Sequence, residues 1–463
     1  MSAWREIAAA AAREMDALER ALADPARQQA ERLCALLAAN ARTEFGRQHG
    51  FDRIRDVEDF RRAVPLRTDI EYAPWLDAAS RGGPATLTAD APVAFESTGG
   101  TTGAKHIPYP PAALDAFRAG VLPWLGYLLS RYPRIADGIA YVAASPLTRR
   151  ARTLPCGLPL GLSSDAAYLG TALAPALAQV ITAPPPCTDI AAWAGTTMAH
   201  LAQCRDLTII SVWSPTFLLE LLDAAPAEPR DLWPNLQVVS MWMDGASAPY
   251  AARVARRLPG VALDAKGVLA TESVITVGTR RGHVPALTSA FLEFIDADDA
   301  CFLAHELRDG ERYRVALTTP GGLYRYDIGD EFECAWRDGA PTLRFVGRAN
   351  LVSDLVGEKL SDSFVAQALA PLDTAAALVP RAGPRPHYRL VIDSAASPEP
   401  ETLVALVESR LRANPQYDYA RRLGQLREIE LVHSPGFARR RAHAHALAGG
   451  RLGDAKSSAL LPE

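Results

Sequence analysis

The sequence predicts an α/β protein. A large N-terminal domain of layered sheets and helices carries a β-rich subdomain, and a small α+β domain follows. Three observations carry this reading. First, short apolar runs ended by turn residues, "GIAYVAAS" (138–145), "LTIISVWSP" (207–215) and "LQVVSMWMDG" (236–245), are each followed by a helical stretch, the pattern of a mostly parallel sheet. Second, from about Ser289 the chain alternates apolar and polar residues between Gly and Asp turns, in "AFLEFIDADD" and "ERYRVALTTPGGLYRYDIGDEFECAW", as antiparallel strands do. Third, beyond Arg348 the runs "HYRLVIDS", "PETLVALVESRLRANPQYDYARRLGQL" and "REIELVHS" form a strand-helix-strand unit large enough for a domain of its own. The expected division is 1–348 and 349–463, consistent with a chain of 463 residues that exceeds one ordinary core.

Taken in order, residues 3 to about 45 are rich in Ala, Leu and Arg with helical spacing, broken near Asp24-Pro25. Acids and arginines interrupt the alanines every few residues, so this is a helix pair and not an export signal. Short helices separated by a Val-Pro turn follow in 45–79. Next comes "FESTGGTTGAKHIPY" (95–109), a small, hydroxyl-rich turn ending in Lys105 and an extended Ile-Pro-Tyr. "FLLELLDAA" and "APYAARVARRLPG" supply the helices after the second and third strands. The closing "RRRAHAHALAGGRLGDAKSSALLPE" is a basic run, read as a solvated or flexible segment, followed by a Gly-rich lysine loop.

Composition narrows the function classes. Hydrophobic residues are 49% and charged residues 22% of the chain, a globular balance, and the formal charge of -4 provides no basic field for nucleic acid. No window reaches the roughly 18 uncharged apolar residues of a membrane span. Six dispersed cysteines without a CxxC pair favour reduced thiols over a disulfide framework or zinc site. The expectation is a soluble, cytoplasmic, monomeric protein with small-molecule partners.

The 95–109 turn has the chemistry of a phosphate cradle: glycines let backbone N–H groups approach, hydroxyls add donors and a lysine adds charge. It is not a Walker A loop, because Ala104 and His106 flank the lysine. No GxSxG elbow competes, since "GASAP" at 245–249 fails at its last position. In "ATES" (270–273), Glu272 follows a predicted strand, where a carboxylate could hold a Mg²⁺ bridging phosphates. In "YRYDIGD", Asp330 sits on a turn, where a carboxylate can accept two hydrogen bonds from a ribose diol. "FVGR" places Arg348 at the domain boundary. Taken singly, Glu272 reads as a helix N-terminal charge, Asp330 as a turn former and Arg348 as an ion-pair partner; their order along the chain is what points to a site.

That order resembles the adenylate-forming enzymes, and in detail the GH3 family of acyl-acid amido synthetases, as a shorter, bacterial-type member. The resemblance runs through "TEFGRQHGF", "DFRRAVPLR", "GLPLGLSSDAAYLG", "VWSPTFLLELL", "LWPNLQVVSMW", "GGLYRYDIGD", "RFVGRANLVSDLVGEKLSD" and "NPQYDYARRLGQL". It implies an ATP- and Mg²⁺-dependent ligase that adenylates a carboxylic acid, releases pyrophosphate, and passes the acyl group to an amine, often an amino acid, with release of AMP. It also implies that the small domain moves over the cleft about a hinge after "FVGR".

Residue by residue, the resemblance makes Ser97, Thr98, Gly99, Gly100, Thr101, Thr102 and Gly103 the phosphate loop. Thr271 and Glu272 would lie by the phosphates and metal, Asp330 on the ribose and Arg348 near the nucleotide. Lys359 in "GEKLSD" matches the small-domain lysine motif, and Lys456 in "LGDAKSSAL" the late lysine that reaches the reacting carboxylate and α-phosphate. Val268 stands where the family usually has an aromatic residue, so either adenine binding rests on aliphatic contacts or the nucleotide preference differs. Leu162, Trp242 and Met243 are candidate acid-pocket walls, or simply core. The competing functions are a ligase that loads a thiol and a catalytically silent nucleotide-binding protein.

Overall fold

The computed structural model describes residues 3–82, 85–98, 105–143, 152–162, 165–170, 172–372, 374–397, 399–447, 450 and 452–462. Two helices open it, Ala3–Ala23 and Pro25–Asn40. They part at Asp24, whose carboxylate accepts from the Arg27 backbone N–H, with Pro25 in the first helical turn where its missing N–H costs nothing. The first helix serves two cores. Trp4, Ile7, Ala10 and Ala11 pack against the parallel sheet, whereas Leu18, Ala21 and Leu22 join the antiparallel one.

The parallel sheet has five strands in the spatial order Ile181–Thr182, Ile139–Ala143, Leu207–Val212, Val238–Met241 and Ala262–Ala265. Because side chains alternate, Tyr141, Ile210, Val239 and Met241 face helices Trp193–Leu201, Pro215–Asp223 and Ala248–Arg257. Ala140, Ile209 and Val238 face the opposite layer, which includes helix Pro111–Arg131. Near-continuous apolar runs are what a sheet covered on both faces requires.

The predicted antiparallel region is a five-stranded sheet ordered Cys301–Phe302, Phe291–Ile295, Arg312–Thr318, Tyr326–Arg337 and Ala340–Arg348. Its longest hairpin turns on Asp338 and Gly339, both at positive φ, as a two-residue hairpin of that hand demands. Within this sheet Glu293, 1% exposed, holds the buried Arg325 guanidinium at 2.8 Å and Arg61 at 3.0 Å, tying the early helices to the strands.

Beyond Arg348, strands Ala376–Arg381, His387–Ile392 and Glu430–His433 form a three-stranded sheet, with helices Pro400–Leu411 and Pro415–Arg422 between the last two. Its core includes Leu360, Leu378, Tyr388, Leu390, Val407, Leu411 and Tyr417. The arginine-rich tail departs from the sequence expectation. It is a helix, Phe437–Leu447, whose Ala438, Ala442 and Ala446 stripe packs on the core around Trp193, while His443 Nε2 lies 2.8 Å from Glu220. Alanines at i, i+4 and i+8 form a continuous small-residue face, which lets the helix seat closely despite its charge.

Helix Pro111–Arg131 approaches the chain after the parallel sheet at Gly120, where a Cβ would lie 2.5 Å from the Cβ of Val274. A methyl there must displace a β-branched side chain. Gly120→Ala is therefore expected to destabilise the protein by about 1–3 kcal/mol, less up to ~1 kcal/mol of gained helix propensity. Thermal and urea unfolding would show it as a lower midpoint with an unchanged urea slope.

Candidate active site

The hydroxyl-rich turn sits on a hairpin. Strands Ala94–Ser97 and His106–Tyr109 pair antiparallel, with Ser97 opposite His106. Two further bonds close the neck: the Thr98 N–H donates to Lys105 O at 2.9 Å, and the Lys105 N–H to Thr98 Oγ1 at 3.2 Å. Thr98 is thus a structural closure of the loop as well as a candidate ligand. Gly99, Gly100, Thr101, Thr102 and Gly103 lie outside the described residues. Lys105 Nζ is 2.6 Å from Asp69 Oδ2, in the first turn of helix Asp69–Ser80.

Glu272 is not at a helix start. Ala270 N–H donates to Ser273 O at 2.9 Å, and Leu269 bridges Val274, so Thr271 and Glu272 are the tip of a tight turn between two sheets. The Tyr109 hydroxyl donates to Thr271 O at 2.6 Å, fastening this turn to the foot of the phosphate-loop hairpin. Beneath it, Ser273 Oγ and Ser289 Oγ are 3.5 Å apart, and Ser289 Oγ donates to Ala116 O of the long helix at 2.8 Å. A small cavity of about 20 Å³, room for one water, is lined by Glu272, Ser273, Ser289 and Thr319. The Thr319 hydroxyl is a buried group without a hydrogen-bond partner.

Asp330, expected on a turn, instead lies inside strand Tyr326–Arg337, 3% exposed and directly opposite Arg348, whose Nε is 3.4 Å from Asp330 Oδ1. Gly329 is required just before it: φ is +71°, and a Cβ would sit 2.3 Å from the Asn350 side chain. The end of the chain reaches the same place. Asp362 Oδ1 accepts the N–H groups of Ala459 and Leu460 at 2.8 and 2.9 Å, and the Leu378 N–H donates to Ala459 O, so Lys456 projects from a pinned segment.

Burial raises the Glu272 pKa; the positive charges of Lys456 and Lys105 oppose the rise and the negative charge of Asp330 adds to it. The charges of residues 105, 330 and 456 thus act on Glu272, and Arg348 pairs with Asp330. Lys359 does not join them. It is exposed in the turn before Leu360–Ser361 with φ +46°, while its neighbour Glu358 is buried, accepting the Leu355 and Val356 N–H groups at 2.9 and 2.8 Å. Val268 contributes its backbone to the turn, its N–H donating to Thr276 Oγ1 at 2.8 Å.

Three site residues escaped sequence reasoning. Tyr109 was read only as extended chain, and Asp69 carried no motif. Tyr326, 3% exposed, has its pKa raised by burial and then by Glu272, Asp69, Asp327 and Asp330. It stands within "YRYDIGD", so its signal was on the page. Among the described residues no three His, Cys, Asp or Glu side chains form a metal cage. No helix among them is long and apolar enough to cross a membrane.

The raised Glu272 pKa predicts a stability signature. Between the ordinary carboxylate value and the raised one, the folded state keeps a proton that the unfolded chain has lost, so stability falls as pH rises through that window. Glu272→Gln should melt a few degrees above wild type at pH 7 without ligand, with the gap closing below the ordinary carboxylate range. Differential scanning calorimetry across pH checks this, and an identical melting temperature at every pH would remove the assignment of a desolvated carboxylate.

The GH3 family N-terminal domain model matches residues 14–230, and the GH3 family central domain model matches 283–348, together more than half of the chain. A probable indole-3-acetic acid-amido synthetase GH3.12 of Oryza sativa subsp. japonica is 27% identical over 256 residues, 48% of this chain and 38% of the relative. Indole-3-acetic acid-amido synthetase GH3.10 of Arabidopsis thaliana is 30% identical over 146 residues, 26% of this chain and 24% of its own length. The chain thus spans well under half the length of these curated relatives. They are plant proteins, and the expectation of a bacterial-type member finds no support among them. In structure, the chain superposes on AtGH3.15 acyl acid amido synthetase in complex with 2,4-DB with a TM-score of 0.80 at 17% identity, covering 97% of this chain and 94% of that one. It superposes on 2-hydroxyisobutyryl-CoA ligase with a TM-score of 0.62 at 15% identity, covering 95% and 90%. The fold is that of the adenylate-forming enzymes, and by the two domain models the chain belongs to the GH3 family.

Proposed function

We propose that the protein is an ATP-dependent, AMP-forming acyl acid amido synthetase, joining a carboxylic acid to an amine, most simply that of an amino acid. The observation that carries this is the Tyr109 hydroxyl's hydrogen bond to Thr271 O, which fastens the Thr271–Glu272 turn to the hairpin of Ala94–Ser97 and His106–Tyr109, together with the Asp330–Arg348 pair of the long hairpin. We read residues 1–348 as the unit that binds ATP and acid, and 349–463 as a lid bearing Lys456 and Lys359. We place the protein in the cytoplasm as a monomer, in keeping with its six free cysteines.

A carboxylate attacking a phosphorus brings two negative groups together, so the reaction needs concentrated positive charge where negative charge develops. Lys456 and the loop N–H groups fit that role, and Asp330 fits a ribose diol. A single carboxylate, Glu272, suits Mg²⁺, which is commonly held by one or two carboxylates plus substrate phosphates. Glu272 would be its protein ligand, and the ion would neutralise phosphate charge. Thr271, tied to Tyr109, would set the position of the turn against the phosphates. Lys359, exposed here, would act only in a second lid position.

The test mixes protein, Mg-ATP, pools of aromatic and aliphatic acids and pools of amino acids, reading nucleotides and new masses together. AMP with a new amide mass is expected; ADP would overturn the reading, and AMP release that depends on a thiol would replace the amine with coenzyme A or a carrier arm.

Two substitutions separate binding from chemistry. Asp330→Ala should weaken ATP binding by about tenfold or more, the scale of losing charge-assisted hydrogen bonds. Lys456→Ala should slow acid-dependent AMP formation by about 10²–10³-fold while ATP binding changes little. Calorimetric ATP titration and single-turnover rates check both, and full activity in the two variants would sink the site assignment.

A further inference from the structure

The carboxyl ends of the parallel strands carry a second group of polar residues, set apart from the phosphate site. On the face toward helix Pro111–Arg131 the side chains form successive rows. Ile209 and Val238 make an apolar row; Val142, Ser211, Ser240 and Asp264 make the next. Past the strand ends come Trp213, Trp242 and Lys266, still in step, since the Trp242 N–H donates to Trp213 O and the Lys266 N–H to Met241 O, both at 2.9 Å. Open α/β sheets bind their ligands at such carboxyl ends.

The group has the character of a pocket end. Lys266, 7% exposed, places Nζ 4.0 Å from the Trp213 ring centre and 5.2 Å from that of Trp124, and donates to Ser211 Oγ at 2.7 Å. Trp213 and Trp242 are 5.8 Å apart and half-buried. Among the described residues, Trp124 Nε1 and the fully buried Ser240 hydroxyl have no hydrogen-bond partner, while the nearby Asp264 carboxylate is engaged by the Tyr127 hydroxyl at 3.0 Å. Val142, on an interior strand of the sheet, is nonetheless 37% exposed at the carboxyl edge beside this group.

Helix Pro111–Arg131 measures the separation of the two sites. Ala116 accepts from Ser289 beneath the Glu272 turn, and Trp124, eight residues on, meets Lys266. At 1.5 Å per residue that is about 12 Å. A carboxylate held on Lys266 could not also react beside Glu272.

We propose that Lys266 and Trp124 recognise a second oxygen, at the far end of the acid substrate, so that the preferred acid is flat, apolar in its middle and carries a distal hydrogen-bond-accepting group. Its body lies against Trp213 and Trp242. This rests on the ligase reading for the position of the reacting carboxylate. Lys266 is a specificity residue in it, remote from the reacting atoms.

The probes are 4-hydroxycinnamate and cinnamate, which share a skeleton and differ by the distal oxygen. Calorimetric titration without ATP should show wild type binding the hydroxylated acid at least about tenfold tighter, the scale of a hydrogen bond to a charged group. Lys266→Met should bring the ratio to within threefold. Trp124→Phe, which keeps the ring and loses the N–H, should lower it severalfold and decides the matter if the lysine variant does not fold. Equal affinity of wild type for the two acids, including no binding of either, or a ratio unchanged in a folded variant, overturns the proposal. Acid-dependent AMP release is measured in parallel. A binding preference without AMP would leave the pocket standing and remove the ligase reading, whereas AMP release with equal efficiency for both acids would do the reverse.

Discussion

The close packing of helix Pro111–Arg131 against the chain between the two main sheets is the constraint on which the rest depends. Its residues Ala116, Gly120, Trp124 and Tyr127 lie on one face, and meet in turn Ser289, Val274, Lys266 and Asp264. A helix rises by a fixed increment, so this single contact line fixes the spacing between the Glu272 turn and the carboxyl edge of the parallel sheet. Only glycine at 120 allows the approach. The helix also shares residues with both cores: Leu122, Leu125 and Leu128 serve the parallel sheet, and Phe117, Val121 and Trp124 the antiparallel side.

The active-site region balances two opposed costs. Burial disfavours the charge of Glu272, and the cations Lys105 and Lys456 from other parts of the chain offset this, while Arg348 pairs with Asp330. None of those cations is a neighbour in sequence of the acid it serves. Arg348 reaches Asp330 across a hairpin register, Lys105 stands at the neck of a second hairpin, and Lys456 hangs from a segment pinned by Asp362.

Local pattern made most of the fold legible. Apolar runs closed by turn residues gave the parallel strands, alternation gave the antiparallel sheet, and Asp24-Pro25 marked the first helix break, because each depends on residues within one element. The tail helix was missed because a charge run hides a stripe of alanines, whose value appears only when a partner surface is present.

The sequence by itself determined the elements, their class, and the motif order that places this chain among the GH3 proteins. Glu272 sits in a turn and Arg348 at a strand end, as local pattern dictates, whereas Asp330 lies inside strand Tyr326–Arg337, where pairing with Arg348 and not a turn sets its position. Tertiary structure alone decided that Tyr109 is bonded to Thr271 and Asp69 paired with Lys105 at the hairpin of Ala94–Ser97 and His106–Tyr109, and that Lys266 is held between two indoles. The reason is physical: local spacing fixes which way a side chain leaves its own element, while burial and pairing depend on which surfaces the fold brings together.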